Sequence, residues 1–161
     1  MGKMLVAVFF GLIVMAGASE VFAHQSGGVE VGDLATGSVA GIAFKELDVD
    51  AELFALELGG PAAKKVWYPP STIIDFKVRP GRPLLIKVTN DSTAEHGFFL
   101  SAAENQSAPT VLKAQIVLKP GETKYLGIPV SDFLYATSGN VLYYRCHLHP
   151  AHVGGRLLMI K

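Results

Sequence analysis

Cysteine and histidine crowd one short stretch of this chain, Tyr144-Arg145-Cys146-His147-Leu148-His149-Pro150-Ala151-His152. Cys146 is the only cysteine, and three of the five histidines follow it within six residues. Thiolate with imidazole is a soft to borderline donor set, suited to copper, zinc or iron. A lone cysteine cannot form a disulfide within its own chain, so Cys146 is a buried inert thiol, a reactive group or a metal ligand. Burial is the ordinary fate of such a residue. Histidines at the third and sixth positions after it, with Pro150 between them, favour the ligand reading.

The local pattern has a geometric consequence. A strand ending at Cys146 holds the sulfur rigidly on the core side, and a turn after it can bring His149 back toward the same ion. A second histidine from elsewhere would complete a trigonal Cys-His-His plane, the arrangement associated with electron-transfer copper. The candidate is His96, in Glu95-His96-Gly97-Phe98-Phe99-Leu100. A solitary histidine before a strand is usually a hydrogen-bonded loop residue. Beside the Cys146 cluster, His96 becomes a ligand candidate.

These residues need a frame of strands to bring them together. Thr72–Val78, Leu84–Thr89, Gly97–Leu100, Val111–Leu118, Thr123–Val130, Val141–Cys146 and Arg156–Ile160 are rich in branched and aromatic residues. Turn signals such as Pro80-Gly81, Asn90-Asp91 and Lys119-Pro120-Gly121-Glu122 separate many of them. Short strands at this spacing predict an antiparallel sandwich or barrel. The stretch Ile42–Leu58 fits a period of two and, in part, a helical period, and ends at Gly59-Gly60-Pro61. His24–Val39 has no sustained period and reads as a mobile arm or a weakly specified first strand. The expected organisation is a leader over 1–23, an N-terminal arm with a first strand or helix over 24–65, and a metal-binding core over 66–161, the last two forming one domain.

Lys3, the apolar run Met4–Ala18 and Val21-Phe22-Ala23 read as an export signal cut after Ala23. The run is short for a membrane span of ~20 apolar residues. No later stretch approaches that length, so no stable span is expected after cleavage. About 138 residues remain, enough for one hydrophobic core. Fourteen basic residues balance fourteen acidic ones, which argues against a polybasic nucleic-acid surface. An exported, oxidising compartment makes a free thiol a liability unless a metal or burial protects it.

Taken in order, the motifs resemble those of the cupredoxins, small Greek-key copper proteins of the exported compartment. The resemblance covers Tyr68 to Lys161. Tyr68-Pro69-Pro70-Ser71-Thr72-Ile73 and Val88-Thr89-Asn90 look like the two strands before the first ligand, and His96-Gly97-Phe98 like that ligand with its strand. Lys119-Pro120-Gly121-Glu122 looks like the family's Pro-Gly turn, and Tyr144 through Gly154 like the ligand loop. The resemblance implies an all-β Greek-key cupredoxin sandwich or barrel and one copper ion held by His96, Cys146 and His149.

The chain departs from the family at the axial ligand. Its loop spacing is similar to that of the amicyanins, which place methionine three residues after the second loop histidine; here that residue is His152. His152 either binds the metal or points away and leaves a three-coordinate ion. Coordination is the favoured reading, because imidazole is a good copper donor. There is some analogy to nitrosocyanin, a red copper relative with extra nitrogen or oxygen ligands. Met159 reads as core filler, Glu95 as a solvated turn acid and His147 as an exposed residue facing away from Cys146. His24, if freed by cleavage, is a weak second copper site. With one cysteine, a dinuclear centre bridged by two thiolates is excluded, and a structural zinc site remains the chemical alternative.

The expected function is transfer of single electrons between exported or membrane-bound redox proteins met transiently. Copper trafficking or tolerance is the alternative, and a small-molecule oxidoreductase at an open metal position the third reading. An electron carrier or copper-binding protein is favoured over an enzyme.

Overall fold

The structure, a computed structural model, describes residues 24–26, 28–59, 63–76, 81–103, 112–136 and 140–160. The expected leader over 1–23 lies outside the described residues, as do Gly60, Pro61, Val78, Pro80 and Val111. The strands are β1 (His24–Ser26), β2 (Glu30–Gly32), β3 (Ser38–Val39), β4 (Ile42–Ala43), β5 (Ala51–Leu58), β6 (Lys64–Tyr68) and β7 (Ser71–Asp75). They continue as β8 (Leu84–Asn90), β9 (His96–Ser101), β10 (Lys113–Leu118), β11 (Thr123–Ile128), β12 (Val141–Arg145) and β13 (Gly155–Ile160). A 3-10 turn, Phe44–Glu46, follows β4, and one helix, α1 (Val130–Ala136), follows β11.

Two sheets carry the architecture, an all-β sandwich. One has the order β1-β10-β9-β12-β13-β7 and the other β2-β11-β8-β5-β6. β9 and β8 lie inside their sheets, and both are buried almost throughout. Alternation places one set of side chains between the sheets: Ala51, Leu53 and Ala55 from β5, and Ala114, Ile116 and Leu118 from β10. Burying each large aliphatic or aromatic side chain there contributes about 1.5–3 kcal/mol before entropy is charged against it. Met159 is part of this core, as its apolar setting in the last strand predicted.

The stretch Ile42–Leu58, ambiguous by period, resolves into β4, the 3-10 turn and the long strand β5. β5 runs parallel to β8, with Ala51 opposite Ile86 and Ala55 opposite Asn90. The region read as an arm supplies three short strands: β1 pairs with β10, β2 with β11 and β3 with β4. The residues after β2 cover the outer face of β8, where Val39, Phe44 and Leu47 pack on Leu85 in a second cluster. A Cβ on Gly127 would stand 2.6 Å from both Phe44 and Val39, so this packing requires glycine there. No helix among the described residues is long and apolar enough to cross a membrane.

Candidate metal centre

One end of the sandwich gathers the cysteine and three histidines. His96 opens β9 with no solvent exposure, and Cys146 follows β12 at 2% exposure. β12 pairs with β9, Arg145 opposite Phe99, so one ladder carries both residues to the same end of the sheet. After Cys146 the chain turns through His147–Pro150 and a second turn, closed by the His152 amide donating to the His149 carbonyl at 3.0 Å.

The ligating atoms of His96, Cys146 and His152 all lie within 4.8 Å of one another. His149 stands beside this group: its Nδ1 is 3.5 Å from Cys146 Sγ, and its ring centroid is 4.5 Å from that of His152 and 6.0 Å from that of His96. The His96 and His152 rings are 4.7 Å apart. All four predicted ligands therefore converge, with His152 in the compact inner group and His149 on the exposed rim. Glu95 is exposed. His24 lies in β1, paired with Gln115 of β10.

The unsatisfied atoms of the donor set fit a metal ion. Buried polar groups are normally hydrogen-bonded, because an orphaned one costs about 1–3 kcal/mol. Both ring nitrogens of His96 are buried with no hydrogen-bond partner, and His152 Nδ1 is in the same condition. A site with these donors beside a buried thiol is incomplete without a ligand for them.

Burial and neighbouring positive charge disfavour protonation of His96 and His152. Burial lowers the His96 pKa, helped by Lys65 and His149 and opposed by Glu57. His152 is pushed down to about 4, first by burial and then by His96, His149 and Lys65. Lys65 pairs with Glu57 at 3.3 Å, and Glu57 also accepts from Thr93 Oγ1 at 3.2 Å. Burial raises the Glu57 pKa, but the Lys65 and Thr93 hydrogen bonds and the positive charge of Lys65 and His96 together outweigh it, and the net shift is downward.

Several positioning contacts had no counterpart in the strand pattern. β6 bridges the ligand loop in parallel at Val66 and Val153, with Trp67 N donating to Val153 O at 2.8 Å and Val153 N to Lys65 O at 3.1 Å. Trp67 is buried edge-on against His96, at 6.1 Å between ring centroids, and against Phe98 at 5.0 Å. The run Val66-Trp67-Tyr68 before Pro69-Pro70 was the available strand signal. Tyr144, two residues before Cys146, donates its hydroxyl to the Pro69 carbonyl, and burial raises its pKa to about 12. His147, expected to be exposed, is half-buried. A Cβ on Gly97 would lie 2.6 Å from the His147 ring and 2.9 Å from Leu148 Cγ. Glycine after His96 thus lets the ligand loop lie against the strand.

No family model and no curated protein matches the sequence. Among solved structures the chain is similar to cupredoxins. One is a purple cupredoxin from Nitrosopumilus maritimus, at 16% identity over 69% of this chain and 100% of that one, with a TM-score of 0.45. Another is a dithionite-reduced auracyanin from Roseiflexus castenholzii, at 13% identity over 69% and 96%, with a TM-score of 0.46. A third is a Cu(I) amicyanin variant, at 12% identity over 71% and 85%, with a TM-score of 0.44.

Proposed function

We propose that this chain is an exported mononuclear copper protein that passes single electrons between redox partners. Cys146, His96, His149 and His152 hold the ion, with the leader 1–23 removed and residues 24–65 and 66–161 acting as one domain. The observation that carries this reading is the buried thiol lying within 4.8 Å of a wholly buried histidine with both ring nitrogens unpartnered. Copper bound to such donors supplies one-electron redox chemistry.

The chain's own residues contribute rigidity and insulation. His96 is held in a buried ladder with Leu118 opposite it. Cys146 sits where β12 leaves the sheet, and backbone hydrogen bonds to β6 fix the loop beyond His152. Exposed His149 is the edge of the site nearest solvent and the natural point of contact for a partner. A shell held in this way changes little between oxidation states, which favours electron transfer over copper delivery.

The deciding experiment is an absorption and paramagnetic-resonance spectrum of the protein loaded with one equivalent of Cu(II), followed by electron self-exchange. Intense visible thiolate-to-copper absorption and fast exchange are expected. A colourless complex would show that Cys146 does not bind Cu(II) and would overturn this reading. Copper released on reduction would replace it with copper handling.

A further inference from the structure

We infer that Asn90 is the positioning residue for His96, aligning the imidazole through the backbone where a hydrogen bond to the ring would ordinarily do so. The inference rests on the proposed metal site, but its structural part can be tested without metal. A ligating histidine is usually oriented by its second ring nitrogen, which donates to a carbonyl, carboxylate or water. His96 has no such partner on either nitrogen. Its ring direction must therefore come from packing, against Trp67 and the His152 ring, and from the path of the backbone into β9.

Asn90 controls that path. It is wholly buried at the end of β8, and its amide nitrogen donates to two carbonyls, Ala94 O at 2.8 Å and Leu118 O at 2.9 Å. Ala94 precedes His96 by two residues, and Leu118 is the residue opposite His96 in the β9–β10 ladder. One side chain thus holds the segment entering His96 and the residue facing it. Asn90 Oδ1 accepts from Ser92 N at 3.1 Å and lies 2.7 Å from Ser92 Oγ, which closes the intervening turn. The backbone of Asn90 is tied as well, its N–H donating to Glu122 O at 2.9 Å and its carbonyl accepting from Gly121 N at 2.8 Å. Both donors and both acceptor positions of the amide are filled, so no smaller or charged side chain reproduces the set. Ser92 Oγ, also 3.0 Å from Ala94 O, is a second brace of the same turn.

The test compares Asn90→Ser and Ser92→Ala with Phe44→Leu, a core change in the separate cluster on the outer face of β8. In the metal-free full chain, the His96 ring signals are followed by NMR. With one equivalent of Cu(II), affinity and the visible spectrum are measured. Asn90→Ser should split or broaden the His96 ring signals, weaken Cu(II) binding about 10- to 100-fold, the range for residues that orient ligands, and alter the thiolate bands. Ser92→Ala should do the same to a smaller extent and carries the test if Asn90→Ser does not fold. Phe44→Leu should lower the melting temperature and leave ring signals and spectrum as they were. The inference is overturned if the Asn90 and Ser92 variants lose only stability, with His96 signals, affinity and spectrum unchanged. If the unaltered protein gives no thiolate-copper colour but its His96 ring is ordered and Asn90→Ser disorders it, the copper reading falls and the positioning role stands.

Discussion

The centre is built from two halves held by different physics. His96 opens an interior strand, is fully buried, lies opposite Leu118 of β10 and is entered through a turn whose polar groups are satisfied. The loop Cys146–His152 starts from a buried sulfur and runs outward through exposed Leu148, His149 and Pro150, returning at half-buried His152. It is secured at its far end by backbone bonds to β6. The strand half resists displacement because moving His96 disturbs a ladder. The loop half is a short segment whose residues can be exchanged without unmaking a sheet.

The largest expected effect lies where both halves depend on one atom. Cys146→Ser should abolish the visible thiolate absorption of the copper-loaded protein, because a hydroxyl cannot supply a soft anionic donor at neutral pH. Colour persisting in that variant would break the assignment.

Gly97→Ala acts at the contact between the halves. The added methyl would meet the His147 ring and Leu148, forcing the loop off the strand. Overpacking of this kind costs about 1–3 kcal/mol, and the displaced loop should weaken copper binding. Equilibrium unfolding and metal competition measure the two effects. A variant that unfolds and binds like the parent would show that the loop adjusts freely.

His152→Met changes the loop half alone. If His152 is a ligand, it would add a third imidazole to the thiolate, and the copper-loaded protein would be green or red. Methionine should shift the spectrum toward blue and raise the reduction potential. An unchanged spectrum and potential would make His152 a bystander.

The apo protein should lose stability as pH falls from about 6.5 toward about 4. The His152 pKa is depressed in the fold, so the unfolded chain binds more protons over this interval and gains by it. Stability is fully present above the unfolded value and declines below it, and His96, shifted in the same direction, adds to the decline. Thermal melts of the apo chain across this range check the sign, and His152→Met should flatten the profile. Smallest of all, Tyr144→Phe removes the hydroxyl bond to Pro69 and should cost about 0.5–1.5 kcal/mol with little change in the copper spectrum.

Much of this was readable in advance, for identifiable reasons. The strands Leu84–Asn90, His96–Ser101 and Lys113–Leu118 lie within a residue or two of their expected bounds because branched, aromatic and turn residues mark them locally. β6 carries little strand signal of its own, because two of its five residues are lysines and the apolar period is short. Its partner in the ligand loop, Val153, is more than eighty positions away. β1 and β2 are three residues each, and their pairing with β10 and β11 supplies the order their own composition lacks. Helix α1 replaces the expected end of β11, since Pro129 closes the strand and Ser131-Asp132 suits a first helical turn.

Residue chemistry and spacing alone determined which donors exist, that Cys146 and His149 share a strand-to-turn segment, and that the chain is built from short strands. Those properties depend on side-chain type and near neighbours. Tertiary structure alone decided that His96 is wholly buried with no partner for its ring, that His152 falls in the inner group while His149 takes the rim, and that Asn90 grips both backbone segments at His96. Each depends on atoms brought together by ladders between residues far apart in the chain, and pairing at that range leaves no local period to read.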